Sequence, residues 1–222
     1  MSFWTRRVHS TIGAALRSKY TLGSRAKYSS LNGKVIAISG AASGMGLATA
    51  KHLYPMGVRL SLIDYRKEPL DAAIKEIKNS SPESDPSNIL ASVTDVRSSQ
   101  QVDDWIDQTV SRFGALHGAA NLAGVVGPGI GKYKITEISD KEWKFVTDIN
   151  LTGVFYALRA QLRAMRKLEL QGSIINAAST AGIEGNPFNS TYTAAKHGVV
   201  GLSRSAAKEF GVQGIRVNAL AP

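Results

Sequence analysis

From Lys34 onward, short apolar runs of strand length alternate with longer segments of helical periodicity, and this alternation restricts the chain to very few folds. The run KVIAIS (34–39) leads directly into a glycine-rich turn and the helical pattern GLATAKHLYPMG, which Pro55 and Gly57 close. VRLSLID (58–64) and ILASVTD (89–95) are predicted strands, and EPLDAAIKEIKNS (68–80) and SQQVDDWIDQTVSRFG (99–114) are predicted helices. ALHGAANLAG (115–124) supplies a fourth strand, followed by GVVGPGIGKYK, which is too glycine-rich to be regular and suggests a loop that can move. A helix is predicted from about Ser139 to Leu168 with a soft break near Gly153, then a strand over 172–179, a helix over 190–211 and a strand over 215–221. Strands separated by helices require right-handed crossovers. The expectation is therefore an α/β fold with a Rossmann-type, doubly wound parallel sheet in three layers, forming one domain over 34–222. Ligands of such sheets bind beyond the carboxyl ends of the strands.

Composition narrows the function. The 222 residues contain no cysteine, which excludes disulfides, thiolate metal sites and a cysteine nucleophile. His9, His52, His117 and His197 are scattered without the paired spacing of a metal site, so none is expected. The formal charge of +10 is unevenly spread: Arg6, Arg7, Arg17, Lys19, Arg25, Lys27 and Lys34 precede the first acid, Asp64. The body is nearly neutral, which argues against a nucleic-acid partner. Residues 1–33 form a basic N-terminal extension in which Trp4, Val8, Ile12, Ala15 and Leu16 share one helical arc opposite Arg6, Ser10, Gly13 and Arg17. Two readings stand for it, a mitochondrial transit peptide or a disordered tail, placing the protein in the mitochondrion or the cytoplasm. No run of 18 apolar residues exists, so no membrane span is expected.

The first strand-to-helix junction, SGAASGMG (39–46), carries Gly40, Gly44 and Gly46, with Ser43 and Met45 between them. Glycines at such a junction permit a tight turn and close backbone approach to a pyrophosphate at a helix N-terminus. A P-loop is excluded, since no Gly-Lys-Ser/Thr follows. Asp64 ends the second strand, where a carboxylate can accept hydrogen bonds from an adenosine ribose and repel a 2′-phosphate. NAD is favoured on that ground, with Ser43 and Tyr65 uncharged; Arg66 keeps NADP as the lesser reading. Asp64 could instead cap the following helix. Far downstream, in YTAAK, Tyr192 and Lys196 are spaced to share one helix face, about 5–6 Å apart.

Taken together, these motifs resemble the short-chain dehydrogenase/reductase family. Its TGxxxGxG motif has Ser39 in place of threonine, and its NNAG appears as NLAG (121–124). DINLTGVF contains Asn150, INAASTAG contains Ser179, and YxxxK falls at Tyr192 and Lys196, with Ser179 thirteen residues before the tyrosine. The resemblance runs from about Lys34 to Pro222. It implies a nicotinamide cofactor, a small-molecule alcohol or ketone substrate, Asp95 as an adenine contact, and Asn121 with Gly124 as stabilisers of the central strand beside the cofactor. It also implies a catalytic tetrad. A tyrosine with pKa about 10 becomes an acid–base near neutrality when a cation favours its phenolate. Lys196 can do this and hydrogen-bond the nicotinamide ribose, Ser179 can hold the substrate oxygen, and Asn150 can position a water. Two helices that pair subunits in the family correspond to 140–168 and 190–211, so a homodimer is expected. Family members continue past the last strand seen here with a substrate-covering segment, a further strand and a helix. A domain lacking that last strand and helix is therefore expected. An alternative function also stands beside the enzyme: a cofactor-binding or interaction protein with little turnover.

Overall fold

The computed structural model describes residues 29–222, so the amphipathic arc and most of the basic extension lie outside the described residues. Six strands form one parallel sheet in the order β3-β2-β1-β4-β5-β6: β1 Val35–Ser39, β2 Arg59–Asp64, β3 Ile89–Val93, β4 Gly118–Asn121, β5 Gly172–Ala177 and β6 Ile215–Leu220. Helices α1 (Gly44–Leu53), α2 (Lys67–Ser80), α3 (Ser99–Phe113), α4 (Asp140–Thr147), α5 (Gly153–Lys167) and α6 (Ser190–Phe210) make the crossovers. The register pairs Ile36 with Leu60 and with Gly118, putting β1 in the centre.

Alternate residues of the central strands feed two cores. Ile38, Leu60 and Leu62 pack with Ala50, Tyr54, Leu70 and Ile77 beneath α1 and α2, and Leu31 joins them from the turn Ser29–Leu31. Ala37, Ile63, Ala119 and Ile174 pack with Trp105, Ile106, Leu158 and Met165 beneath α3 and α5. Burying each large apolar side chain contributes about 1.5–3 kcal/mol. Trp105 is seated without leaving its indole N–H unpaired, because Nε1 donates to the buried Ser61 Oγ at 2.8 Å.

Two departures from the sequence reading matter for the site. Strands β3 and β4 stop short of the predicted 89–95 and 115–124, because the residues beyond them leave the ladder. Leu122 and Ala123 N–H groups donate instead to the Ser39 hydroxyl, at 3.1 and 3.3 Å. The helix predicted over 139–168 with a soft break near Gly153 is two helices joined not by a simple break but by a π turn, Asp148–Thr152, that ends directly before Gly153. Asn150 sits in that turn, and its Nδ2 donates to the Val146 carbonyl at 2.9 Å. A side chain drawn into the backbone ladder in this way widens it locally. Among the described residues no helix is long and apolar enough to cross a membrane, and no His/Cys/Asp/Glu cluster could hold a metal.

Candidate active site

Strand order reverses between β1 and β4, and their carboxyl ends open a cleft of about 450 Å³, a size typical of ligand sites. Gly40 starts its floor with left-handed backbone, φ +70°, and a Cβ there would stand 2.8 Å from the Ala123 nitrogen. A Cβ on Gly46 would overlap the Gly40 carbonyl. Both positions therefore demand glycine, and the turn can lie flat against the end of β4. Ser43 is the N-cap of α1 without a side-chain capping bond, and Ser43, Gly44, Met45 and Gly46 line the cleft. First-turn N–H groups have no intrahelical acceptor, so this wall offers donors and positive dipole to a phosphate.

Asp64 lies at the end of β2, 7% exposed. Its Oδ2 accepts the Ala42 N–H at 3.3 Å, tying β2 to the glycine turn, and its Oδ1 accepts from the Arg66 backbone and Nε, at 3.1 and 3.3 Å. Asp95 also lines the cleft, but its carboxylate is gripped by Arg97, with Nη2 donating to Oδ2 at 2.6 Å. The hydrogen-bonded Arg97 guanidinium holds the Asp95 carboxyl below the usual carboxylate range. Asn121 does not line the cleft. It is buried on the other side of β4, exchanging amide hydrogen bonds with Gln161 at 3.0 and 2.8 Å and donating to Asn176 Oδ1 at 2.8 Å. Asn176 passes the chain on to Ser203, so β4, β5, α5 and α6 are joined by one buried polar network.

Gly124 marks where the cleft meets a second group of residues. A Cβ on it would stand 2.8 Å from Asn150 Oδ1 and 3.7 Å from Lys196 Nζ. Asn150 is fully buried, and its Nδ2 donates to the Val125 and Val146 carbonyls while its Oδ1 accepts the Val125 N–H. Both amide protons are thus committed to backbone, and only the second lone pair of Oδ1 is left for a water. Lys196 is 3% exposed, donates to the Ala177 carbonyl at 2.7 Å, and lies 5.3 Å from the centroid of the Tyr192 ring. Burial lowers its pKa to about 8. Two residues beyond Ala177, Ser179 Oγ accepts the Ala181 N–H at 3.3 Å and caps the turn Thr180–Gly182. Accepting through a lone pair leaves the Ser179 hydroxyl its proton to donate. Contacts thus link Gly124, which lines the cleft, to Asn150 and Lys196, and Lys196 to the Tyr192 ring; Ser179 lies two residues beyond the Ala177 carbonyl that Lys196 binds, and Asn121 stays outside the cleft.

Residues 34–222 match the short chain dehydrogenase family. The chain belongs to the short-chain dehydrogenase/reductase family. A fungal member, short-chain dehydrogenase/reductase aba4 of Botryotinia fuckeliana, is 46% identical over 189 residues, which cover 85% of this chain and 70% of that protein. The structure of levodione reductase superposes with a TM-score of 0.81 at 39% identity, covering 86% of this chain and 72% of that one. An NAD+-bound xylitol dehydrogenase superposes at 0.79 with 32% identity, covering 86% and 70%. An actinorhodin polyketide ketoreductase with NADPH superposes at 0.77 with 33% identity, covering 85% and 69%. This short-chain dehydrogenase is an NAD(P)-dependent oxidoreductase.

Sequence reasoning missed several lining residues of the dehydrogenase cleft: Thr94, Val96, Leu122, Val125, Phe145 and Ile149. The first four follow strand ends, a position that could have signalled them. Phe145 lies on α4 and Ile149 in the π turn after it, an irregular turn that no local period marks.

Proposed function

We propose that the protein interconverts a secondary alcohol and a ketone with NAD(H), using Tyr192 as the general acid/base. The observation that carries this reading is the approach of Lys196 to Tyr192, 5.3 Å from Nζ to the ring centroid, next to Gly124, which lines the glycine-walled cleft. The residues suit a dinucleotide: Gly40, Ser43, Gly44, Met45 and Gly46 form a backbone cradle at a helix N-terminus, and Gly124 leaves room beside Asn150 and Lys196. Bound nicotinamide supplies or accepts the hydride. Lys196 holds its amine against the Tyr192 ring, and the Tyr192 phenol exchanges a proton with the substrate oxygen. Ser179 donates a hydrogen bond to that oxygen as charge develops on it. Asn150 holds the Val125 end of the loop against the π turn and keeps Lys196 company with one remaining acceptor site.

Asp64 supports NAD over NADP, because a carboxylate at the ribose opposes a 2′-phosphate. Arg66, paired with Asp64 yet 42% exposed, is the group NADP would recruit. Asp95 would border an adenine in the cleft with its carboxylate already bound by Arg97. Asn121 supports the cofactor side indirectly, by fixing β4 to β5.

A homodimer is supported by the groove between α5 and α6, where Phe155, Leu158, Leu162 and Leu202 meet Arg163 and Glu209. Light scattering of Phe155→Asp, expected monomeric, tests it. Residues 1–33 have the composition of a mitochondrial address preceding the 34–222 dehydrogenase domain, and a reporter fused to them tests that reading by its location. The reaction itself is tested by titrating NAD(H) and NADP(H) and then assaying a panel of secondary alcohols and ketones. Binding without turnover of any of them would defeat the assignment.

A further inference from the structure

Ser139 and Glu142 stand at capping-box spacing, serine at the N-cap of α4 and glutamate three residues on. In a complete box the glutamate side chain reaches back to the N-cap N–H. Here only half of the exchange is made: Glu142 N–H donates to Ser139 Oγ at 3.2 Å. The carboxylate turns instead across to the glycine-rich loop, where Oε1 accepts the Gly129 N–H at 3.0 Å. The residue is 9% exposed. It occupies space that two glycines leave: a Cβ on Gly127 would overlap Oε1, and one on Gly129 would stand 2.8 and 2.9 Å from the two carboxylate oxygens. Burying a carboxylate is costly, and the Gly129 hydrogen bond offsets part of that cost.

The contact is passed on to α6. Gly131 N–H donates to the Phe188 carbonyl at 2.9 Å. Phe188 has left-handed backbone, φ +59°, a conformation strained for an aromatic residue and kept only where the surroundings impose it. Asn189, the N-cap of α6, follows it directly. Gly129, Glu142, Phe188 and Tyr192 all border one small cavity of about 10 Å³. Glu142 does not line the dinucleotide cleft.

We propose that Glu142 is a positioning residue for the substrate side of the active site: its carboxylate clamps the loop 127–131 and, through Gly131 and Phe188, fixes the entry to the helix that carries Tyr192. The loop then forms a fixed wall beside the phenol. The proposal rests on the reading of Tyr192 as acid/base. It assigns Glu142 no contact with substrate.

The test compares Glu142→Ala, Glu142→Gln and Gly127→Ala in the full chain by backbone hydrogen exchange, NADH fluorescence titration and NADH-dependent reduction of cyclohexanone. In Glu142→Ala, amides of the 127–131 segment should lose about ten-fold or more of their protection. KM for cyclohexanone should rise about ten-fold while kcat stays within about three-fold and the NADH dissociation constant within about two-fold. Glu142→Gln keeps an acceptor oxygen in place and should restore both protection and KM. Gly127→Ala should reproduce the alanine phenotype by crowding the carboxylate, and its effect should be much smaller in the Glu142→Ala background, where only the Val146 methyl group, 3.1 Å from the added Cβ, still opposes it. Unchanged protection in Glu142→Ala overturns the clamp, as does a Glu142→Gln variant as impaired as Glu142→Ala. Lost protection with an unchanged KM overturns its role in the site. Exchange needs no turnover, so a wild-type chain inactive towards every ketone would defeat the reaction assignment while the clamp is still decided by protection. If Glu142→Ala does not fold, Gly127→Ala and Glu142→Gln decide the question by the same readouts.

Discussion

Lys196 Nζ donates to the Ala177 carbonyl at 2.7 Å and stands 5.3 Å from the centroid of the Tyr192 ring, so one ammonium ties the end of β5 to the face of the phenol. The distance is a ring contact, set by the i, i+4 spacing on α6. It puts a cation against the phenol ring. Tyr192→Phe removes only the hydroxyl. It is expected to lower kcat/KM by about 10²–10⁴ with the NADH dissociation constant unchanged, and wild-type turnover in that variant would remove Tyr192 from the mechanism.

Burial of the same lysine has a stability consequence. Its pKa falls from 10.5 to about 8 on folding. Between those two values the unfolded chain binds more protons, so this group's contribution to stability rises with pH from about 8 upward and is lost as pH falls towards 8. The charged, buried lysine at neutral pH therefore costs up to about 3 kcal/mol. Urea unfolding of wild type and Lys196→Met should show the difference between them shrinking in the methionine's disfavour as pH rises from about 8 to about 10. A pH-independent difference would argue against the lowered pKa.

Asp64 is bound both to the glycine turn, through Ala42, and to Arg66. Asp64→Ser frees Arg66 and removes the charge that opposes a 2′-phosphate. The ratio of NADP to NAD affinity should shift towards NADP by about 10- to 100-fold, or roughly 1.4–2.7 kcal/mol. Fluorescence titration with both reduced cofactors measures it, and an unchanged ratio would mean that Asp64 does not read the ribose.

At the opposite end of the sheet, His117 Nδ1 accepts the Val35 N–H at 3.0 Å and extends the β1–β4 pairing by a side chain. Burial, with Lys34 and Arg59 nearby, lowers the His117 pKa from 6.5. The folded state thus holds this proton less tightly than the unfolded one. Its contribution is present above the ordinary histidine value and is lost as pH falls below it. His117→Asn keeps an acceptor that does not titrate. Wild type should lose about 1 kcal/mol more than the variant between about pH 7 and pH 5 in denaturant unfolding; parallel curves would place the acid sensitivity elsewhere.

Gly46 is packed so closely on the Gly40 carbonyl that even a methyl group must move backbone. Gly46→Ala is expected to weaken NADH binding by about ten-fold or more and to cost about 1–3 kcal/mol of stability. Calorimetry with and without NADH reads both, and full-affinity binding would show that the turn has slack.

The six strands, their alternation with helices and the parallel sheet were legible in the sequence because each rests on a local period: β-branched runs such as VIAIS and the apolar spacing of Val102, Trp105 and Ile106. Gly40 and Gly46 were legible for a similar reason, since a tight turn before a helix leaves few residues able to occupy it. Other features depend on groups far apart in the chain. The π turn at Asn150 arises because one amide bonds Val146 and, 25 residues away, Val125. Asn121 turns from the cleft because Gln161 and Asn176 offer partners on the other side of β4. The loop 124–134, expected to move, is tied at Val125 to Asn150, at Gly129 to Glu142 and at Gly131 to Phe188. Periodicity says which face of an element is apolar. Which polar side chain meets which backbone group is settled only when packing brings distant segments within hydrogen-bonding distance, because a hydrogen bond acts over about 3 Å and carries no trace in local pattern.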